Sequence, residues 1–262
     1  MNIIDTHTHL NAEPLINDVD QVILRAKEAG VKKVINNGDT FESFDVIDSL
    51  ARKYPDFCYS AIGIFPTTKY QSVDEEISKL EEKIKTCKNL VAIGEIGLDY
   101  HLDNSLETRK KQKDLFLAQI KLAEKYKLPL IIHSRDAEAD TFNTLIDSKF
   151  PYNVTLHCYS ASFQMALRYL RHKKNIYFGI GGVLTFKNAK KLVEVVNRVD
   201  PSHFLLETDA PFLAPVPYRG KTNEPAYIVK TLEKLAELLN RDVNELAEEI
   251  YLRSLEVYHL NA

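Results

Sequence analysis

Short apolar runs alternate with longer amphipathic segments along the whole chain. The runs are rich in β-branched residues, whereas the segments between them, such as residues 106–126, repeat apolar positions at helical spacing. This alternation is typical of βα units that surround a parallel sheet. It predicts eight strands, at residues 3–6, 33–36, 58–62, 90–94, 130–133, 153–157, 176–179 and 203–207.

The last part of the chain predicts two more helices, over residues 225–239 and 243–259. Asn240 is the expected N-cap of the second helix, with Asp242 near it. We expect this pair to complete the last βα unit and to cover the base of the sheet. No GxGxxG follows the first strand, as a dinucleotide-binding fold would require. The fold predicted is therefore an α/β TIM (β/α)8 barrel, with residues 1–262 as one domain.

Composition limits the possible partners of such a barrel. The net charge is −3, so no overall basic character marks a binder of nucleic acid or of membrane surfaces, and any phosphate recognition must be local. Three cysteines without a CxxC pair argue against a disulfide framework and a structural zinc site. No apolar run has transmembrane length, and the opening MNIIDTHTHL does not have the pattern of a signal peptide. We therefore expect a cytoplasmic protein without membrane association.

Polar residues that bind metals stand at the ends of several predicted strands, where a TIM barrel carries its catalytic groups. His7 and His9 are two apart on an extended chain, so both imidazoles point to the same side. Imidazole and carboxylate together favour Zn, Mn, Fe or Mg, and the candidates exceed what one tetrahedral ion needs. We therefore predict two divalent ions bridged by Glu95, which lies on a middle strand. The predicted ligands are His7, His9, Glu95, His133, His157 and Asp209.

Each of these residues also has an ordinary structural explanation. His133 and His157 follow apolar runs and could be hydrogen-bonded core residues, while Asp209, close to a proline, fits a turn. Glu95 could pair with a lysine or arginine. These explanations are independent of one another, yet all six residues fall at strand ends on one face, which favours the metal interpretation. His101 could line the same pocket.

Six motifs occur in a fixed order and resemble those of the TatD family of metal-dependent deoxyribonucleases, within the amidohydrolase-like superfamily: THTHL, IGEIGLDY, LIIHSRDA, LHCYS, LLETDAP and YRGKTNEP. The resemblance spans nearly the whole chain. It implies a TIM barrel, two divalent ions (Mg, Mn or Zn) and hydrolysis of DNA phosphodiester bonds, often as a 3′ to 5′ exonuclease. It places one ion among His7, His9 and Asp209, with Glu95 bridging to a second ion at His133 and His157.

One loop departs from the family pattern. The family commonly carries GxHPH after the third strand, where this sequence reads Gly63-Ile64-Phe65-Pro66-Thr67 and has neither histidine. Those histidines are not among the six predicted ligands. We therefore expect metal binding to be retained and substrate positioning to change.

The predicted catalytic residues are Asp209, which would orient the attacking water, and Glu95. Arg135, Arg219 and Lys221 could hold a flanking phosphate, although each could equally be a solvated loop charge. Because the chain is slightly acidic, we expect few phosphate contacts and a weak dependence of affinity on salt. The expected partner is DNA, as single strands or 3′ ends, with no obligate protein partner.

Two other functions compete with this interpretation. A TIM barrel of this kind could hydrolyse C–N or ester bonds in a small molecule, because the fold alone does not choose the substrate. Many C–N hydrolases of the superfamily place a carboxylated lysine where this chain has Glu95, so the glutamate favours the nuclease. The second alternative is a binding protein that has kept the metal ligands and lost turnover, which the altered loop would permit.

Overall fold

Eight parallel strands follow one another in chain order around a barrel in the computed structural model, which describes residues 1–261. Backbone hydrogen bonds join the segment after the last strand to the end of the first strand: Asp209 N donates to His7 O at 2.9 Å, and His9 N donates to Ala210 O at 2.7 Å. The predicted TIM barrel is therefore confirmed. Its strands are β1 (Ile3–Thr8), β2 (Val31–Gly38), β3 (Cys58–Ile62), β4 (Leu90–Asp99), β5 (Leu130–Arg135), β6 (Val154–Leu156), β7 (Ile176–Ile180) and β8 (Phe204–Leu206).

Helices connect the strands, and four of them begin at a hydroxyl N-cap that accepts a hydrogen bond from the backbone three residues on. Those caps are Thr40, Ser72, Ser105 and Ser162. Within the described residues, no helix combines the length and the apolar character that crossing a bilayer requires. The helices are α1 (Val19–Glu28), α2 (Phe41–Lys53), α3 (Val73–Thr86), α4 (Leu106–Tyr126), α5 (Glu138–Asp147), α6 (Phe163–His172), α7 (Lys190–Arg198), α8 (Ile228–Leu239) and α9 (Val243–Tyr258).

The base of the barrel is filled by apolar side chains and covered by the end of the chain. Residues from six strands, including Ile4 and Ile131, form one buried cluster with Leu255 and Tyr258 of α9. The Tyr258 hydroxyl donates to Thr155 Oγ1 at 2.8 Å, so its polar end is satisfied in the core. The predicted cover over the barrel base is confirmed for α9, whereas α8 packs against α7 and β8. The open end of the barrel is the opposite one.

Five strands, β1, β2, β4, β5 and β7, extend further than the apolar pattern predicts, whereas β6 and β8 are shorter. The predicted end of the fourth strand at residue 94 is wrong, because β4 continues to Asp99 and Glu95 lies inside it. The glycines and charges of this segment resemble a strand end, but its backbone still pairs with β5 from Ile96 to Asp99. Likewise β1 includes His7, which the prediction placed just past the strand.

The predicted cap of the last helix is also wrong. Asn240 ends α8 in the left-handed conformation, with φ of 51°, which asparagine tolerates better than most residues. Asp242 is the N-cap of α9, and its Oδ1 accepts hydrogen bonds from Asn244 N at 2.8 Å and Glu245 N at 3.0 Å.

The close approach of β4 to β5 depends on Gly97. Its φ is +147°, and a Cβ atom there would lie 1.9 Å from the carbonyl oxygen of His133. We expect Gly97→Ala to destabilise the fold by about 3 kcal/mol or more, since neither backbone can move away. The matched control is Gly220→Ala, where φ is +82° and nothing lies within 4 Å. That change should cost only about 1 kcal/mol in urea denaturation, and equal losses would contradict this account of β4.

Candidate metal centre

The six predicted ligands converge at the open end of the barrel. Their nitrogen and oxygen atoms form overlapping groups within 4.8 Å of one another: His7, His9 and Glu95; His7, His157 and Asp209; and Glu95, His133 and His157. Five of them, all except the fully buried His7, line a cleft of about 650 Å³. The barrel therefore brings together side chains that are as far apart in sequence as His7 and Asp209.

The side chains of His7, His9, Glu95 and Asp209 surround a single position and form the first ligand group. His7 Nε2 lies 3.1 Å from His9 Nε2. Glu95 Oε2 lies 3.5 Å and 3.8 Å from these two nitrogens, and Asp209 Oδ1 lies 3.7 Å and 3.5 Å from them. Ligands held about 2.0 to 2.2 Å from one ion lie roughly 3.0 to 3.6 Å from each other. Three of the five distances fall in this range and the other two, 3.7 and 3.8 Å, lie just above it, so the four atoms are close to the spacing of a coordination shell.

The second ligand group consists of His133, His157 and the other oxygen of Glu95. His133 Nδ1 lies 2.6 Å from Glu95 Oε1, and His157 Nε2 lies 3.6 Å from the same oxygen. The rings of His157 and His7 stack with their centroids 3.5 Å apart, so the two groups share a wall. The carboxylate of Glu95 thus faces one group with each oxygen, which is the position of a bridging ligand.

The charges of the buried groups show that a cation fits here. Burial opposes the charge of Glu95, yet the imidazoles of His157 and His133 hold its pKa well below the usual range. Burial also opposes protonation of His133, but Glu95 and Asp99 raise its pKa to about 9. In the same way Glu207 and Glu95 outweigh burial and raise the pKa of His157 to about 10. Without an ion, therefore, protons on the imidazoles neutralise the carboxylates, and a divalent cation would replace them.

Polar contacts from outside the cluster set the orientation of three rings, those of His9, His133 and His157. Asn37 O accepts from His9 Nδ1 at 2.9 Å, which leaves Nε2 of that ring facing the ligands. Asp99 Oδ2 lies 3.1 Å from His133 Nε2. Such partners fix the ring position and raise the basicity of histidines that bind metals. This arrangement supports the assignment of both histidines as ligands.

Glu207 supports the third ring. Its Oε1 lies 3.1 Å from His157 Nδ1 and accepts a hydrogen bond from Cys158 N at 2.6 Å. Gly179 on β7 leaves the space for this side chain, because a Cβ atom there would lie 2.1 Å from Glu207 Oε2. The glutamate is fully buried, so its position behind the ring is fixed by packing.

A buried carboxyl group ties β1 to the turn that carries Asp209. Asp5 accepts hydrogen bonds from Thr208 N at 2.9 Å and from Thr208 Oγ1 at 2.6 Å. Burial is the main cause that raises the pKa of Asp5 to about 8, while the bonds to Thr208 oppose it. This link positions Asp209 relative to His7 on the neighbouring strand.

Sequence reasoning assigned no role to Asp99, Glu207, Asp5 or Asn37. Asp99 could have been found, because it follows Glu95 by four positions on the same strand and so shares its face. Glu207 stands two residues before Asp209 at the same barrel end. Asn37 contributes a backbone carbonyl, for which no side-chain signal exists.

The predicted phosphate-binding residues are not all in the cleft. Arg135 lines it, at the end of β5. Arg219 instead stacks on the Phe186 ring at 3.9 Å and donates to Ala214 O at 3.2 Å. Neither Arg219 nor Lys221 is among the residues that line the cleft. Contact of these residues with a substrate stays a prediction.

The altered loop after β3 and the segment after β4 complete the wall. Phe65 and Thr67 both line the cleft, and the Phe65 ring packs edge to face against His133, with 4.7 Å between centroids. His101, by contrast, is paired with Asp136 at 2.9 Å and is not among the lining residues. The loop therefore presents an aromatic ring and a hydroxyl group next to the second ligand group.

A TIM barrel with clustered imidazoles and carboxylates at its open end defines the class of metal-dependent hydrolases. The family model described as TatD related DNase matches residues 4–259. The chain belongs to this family, and it is a metal-dependent hydrolase.

Relatives and solved structures agree with this assignment. The chain is 37% identical over 260 residues to an uncharacterised metal-dependent hydrolase, YabD, of Bacillus subtilis, covering 99% of this chain and 100% of that protein. The crystal structure of YjjV, a TatD homologue from Escherichia coli, is 29% identical with a TM-score of 0.90 and covers 99% of this chain and 98% of that one. An uncharacterised amidohydrolase from Saccharomyces cerevisiae shares the fold, with 18% identity, a TM-score of 0.82 and coverage of 98% and 100%.

The hydrogen bond that His133 Nε2 donates to Asp99 Oδ2 provides a test of the metal centre. We expect Asp99→Asn to weaken manganese binding by about 10- to 100-fold, because the ring of His133 loses its charged partner. The matched control is Asp136→Asn, which removes an exposed carboxylate that pairs with His101 outside the cleft. Isothermal titration calorimetry measures both affinities. If the Asp99→Asn variant binds manganese as tightly as the Asp136→Asn variant does, the contact between Asp99 and His133 does not support metal binding.

Proposed function

We propose that the protein is a deoxyribonuclease that removes nucleotides from the 3′ ends of single DNA strands with the help of two divalent ions. The observation that supports this proposal most strongly is the Glu95 carboxylate, which faces a separate ligand group with each of its oxygens. Two ions bridged in this way neutralise phosphoryl oxygens and generate a strong nucleophile from water at neutral pH. Both effects accelerate the hydrolysis of a phosphodiester bond.

We expect the ligands to divide between the two ions according to the distances between their nitrogen and oxygen atoms. His7, His9 and Asp209 would hold the first ion, and His133 and His157 the second, with Glu95 between them. Burial of the whole group in a cleft strengthens every electrostatic interaction inside it. Asp99 and Glu207 would then keep the rings of His133 and His157 in place while substrate enters.

Asp209 is the residue that we propose to orient the attacking water. Its side chain is 15% exposed, compared with 5% for Glu95, so it is the more accessible of the two ligand carboxylates. Burial opposes its ionisation, but His157 and the hydrogen bond with His9 hold the pKa of Asp209 below its usual value. An ionised carboxylate at the cleft surface can accept a proton from water near neutral pH.

The cleft suits a DNA end better than a long duplex. Among its lining residues Arg135 is the one lysine or arginine side chain, so few phosphates can be neutralised at once. The three cysteines are free, which is consistent with the reducing cytoplasm where we place this activity.

The activity is tested with a single-stranded oligonucleotide labelled at its 5′ end, in Mg, Mn or EDTA. We expect stepwise shortening from the 3′ end that requires the metal. Glu95→Gln should lower kcat/KM by at least about 100-fold, because one change removes a ligand from both ions. Asp136→Asn is again the control, since it removes an exposed carboxylate outside the cleft.

An intact oligonucleotide from a protein that binds manganese would contradict the proposed nuclease. Hydrolysis of a small ester or amide by the same preparation would then identify a C–N or ester hydrolase, and no turnover of any substrate would identify a binding protein.

The single arginine in the cleft predicts a shallow dependence on salt. We expect log KM against log salt concentration to have a slope of magnitude below about 2, and Arg135→Met to reduce it by about 0.7, the value for one phosphate contact on a single strand. Arg52→Met is the matched control, because this guanidinium pairs with Asp48 on α2 and is not among the residues that line the cleft. A steep slope, or the same change of slope in both variants, would contradict the proposed role of Arg135.

A further inference from the structure

Phe212 exposes its aromatic ring at the mouth of the metal cleft. The ring is 56% exposed and lies 6.2 Å, between centroids, from the ring of His9. Among the residues that the structure describes, it is the one aromatic side chain in the set of exposed large hydrophobics, which are Met1, Leu24, Leu102, Leu106, Phe212, Val216 and Leu252. An exposed apolar ring beside a functional cleft gains free energy when a ligand covers it.

The backbone that carries this ring is held firmly. Phe212 N donates to Asp209 O at 2.8 Å, and Phe212 O accepts from Asn223 Nδ2 at 2.7 Å. The same Asn223 amide donates to Thr208 O at 2.8 Å, and its side chain is fully buried. Phe212 therefore belongs to the turn that positions Asp209, although its ring is not packed into the core. The position of its backbone relative to Asp209 is therefore set by these hydrogen bonds.

The charges of the cleft leave a role for such a ring. The lining residues include four carboxylates, of Asp39, Glu95, Asp99 and Asp209, and one guanidinium, of Arg135. Apart from the proposed metal ions, Arg135 is therefore the one cationic side chain among the lining residues that could hold a phosphate. Stacking of bases on aromatic side chains supplies affinity without charge and without sequence preference.

We propose that Phe212 binds the base of the terminal nucleotide, by stacking, while the adjoining phosphate lies at the metal centre. The inference rests on the proposed deoxyribonuclease function and adds to it the feature that is recognised, the free face of a terminal base. A base inside a duplex has both faces covered by its stacked neighbours, so neither face is available to the ring. The requirement for a free face therefore selects a strand end over an internal position.

The test compares two single-stranded oligonucleotides that differ only in the last nucleotide, which carries either adenine or a tetrahydrofuran sugar without a base. We expect the protein to cleave the first with a kcat/KM about ten-fold higher, the order that stacking of one base supplies. Phe212→Ala should abolish this preference, mainly through KM, and Phe212→Tyr should restore it. The control is Leu252→Ala, which removes a side chain that is 55% exposed on α9, the helix that covers the barrel base.

Binding without turnover gives a second readout. Calorimetry of the manganese-loaded protein should show about ten-fold tighter binding of dAMP than of deoxyribose 5-phosphate, and no such difference in Phe212→Ala. If neither oligonucleotide is cleaved while this difference persists and depends on Phe212, the nuclease proposal fails and base stacking stands. A base preference that Phe212→Ala leaves unchanged would overturn the inference. Equal losses on both ligands would also overturn it, because they would show that Phe212 only supports the turn of Asp209.

Discussion

The burial of one carboxylate among imidazoles is the interaction on which the rest of the site depends. Glu95 is nearly inaccessible to solvent and lies within 4 Å of ring nitrogens from four histidines. A buried charge of this kind is costly unless it is compensated. The histidines compensate it by carrying protons, as the raised pKa values of His133 and His157 show, or by sharing a metal ion with it.

A second layer of residues keeps that arrangement in one geometry. Asp99 and Glu207 lie behind the rings of His133 and His157, while Asp5 ties the turn of Asp209 to β1. Glycine is required where such a supporting side chain lies directly against the backbone of a neighbouring strand, as at Gly179 beside Glu207. Metal affinity and the stability of the barrel mouth are therefore coupled, since the same side chains determine both. On the substrate side, an aromatic ring at Phe65 and another at Phe212 border a cleft that has little positive charge of its own.

Much of this could be predicted from the sequence because the barrel converts a one-dimensional pattern into a location. Strand ends of a parallel barrel share one face, so polar residues after apolar runs, such as His133 and Asp209, had to meet. The predicted end of β4 was wrong because pairing of its backbone with β5 does not depend on which side chains it carries. The carbonyl of Asn37 and the placement of Arg219 away from the cleft depend on tertiary packing, which leaves no periodic trace in the sequence.

Anomalous diffraction from crystals grown with manganese tests most directly whether Glu95 bridges two divalent ions. We expect two anomalous peaks, one beside His7, His9 and Asp209 and the other beside His133 and His157, each in contact with a different oxygen of Glu95. A single peak, or a second peak out of reach of Glu95, would contradict this expectation.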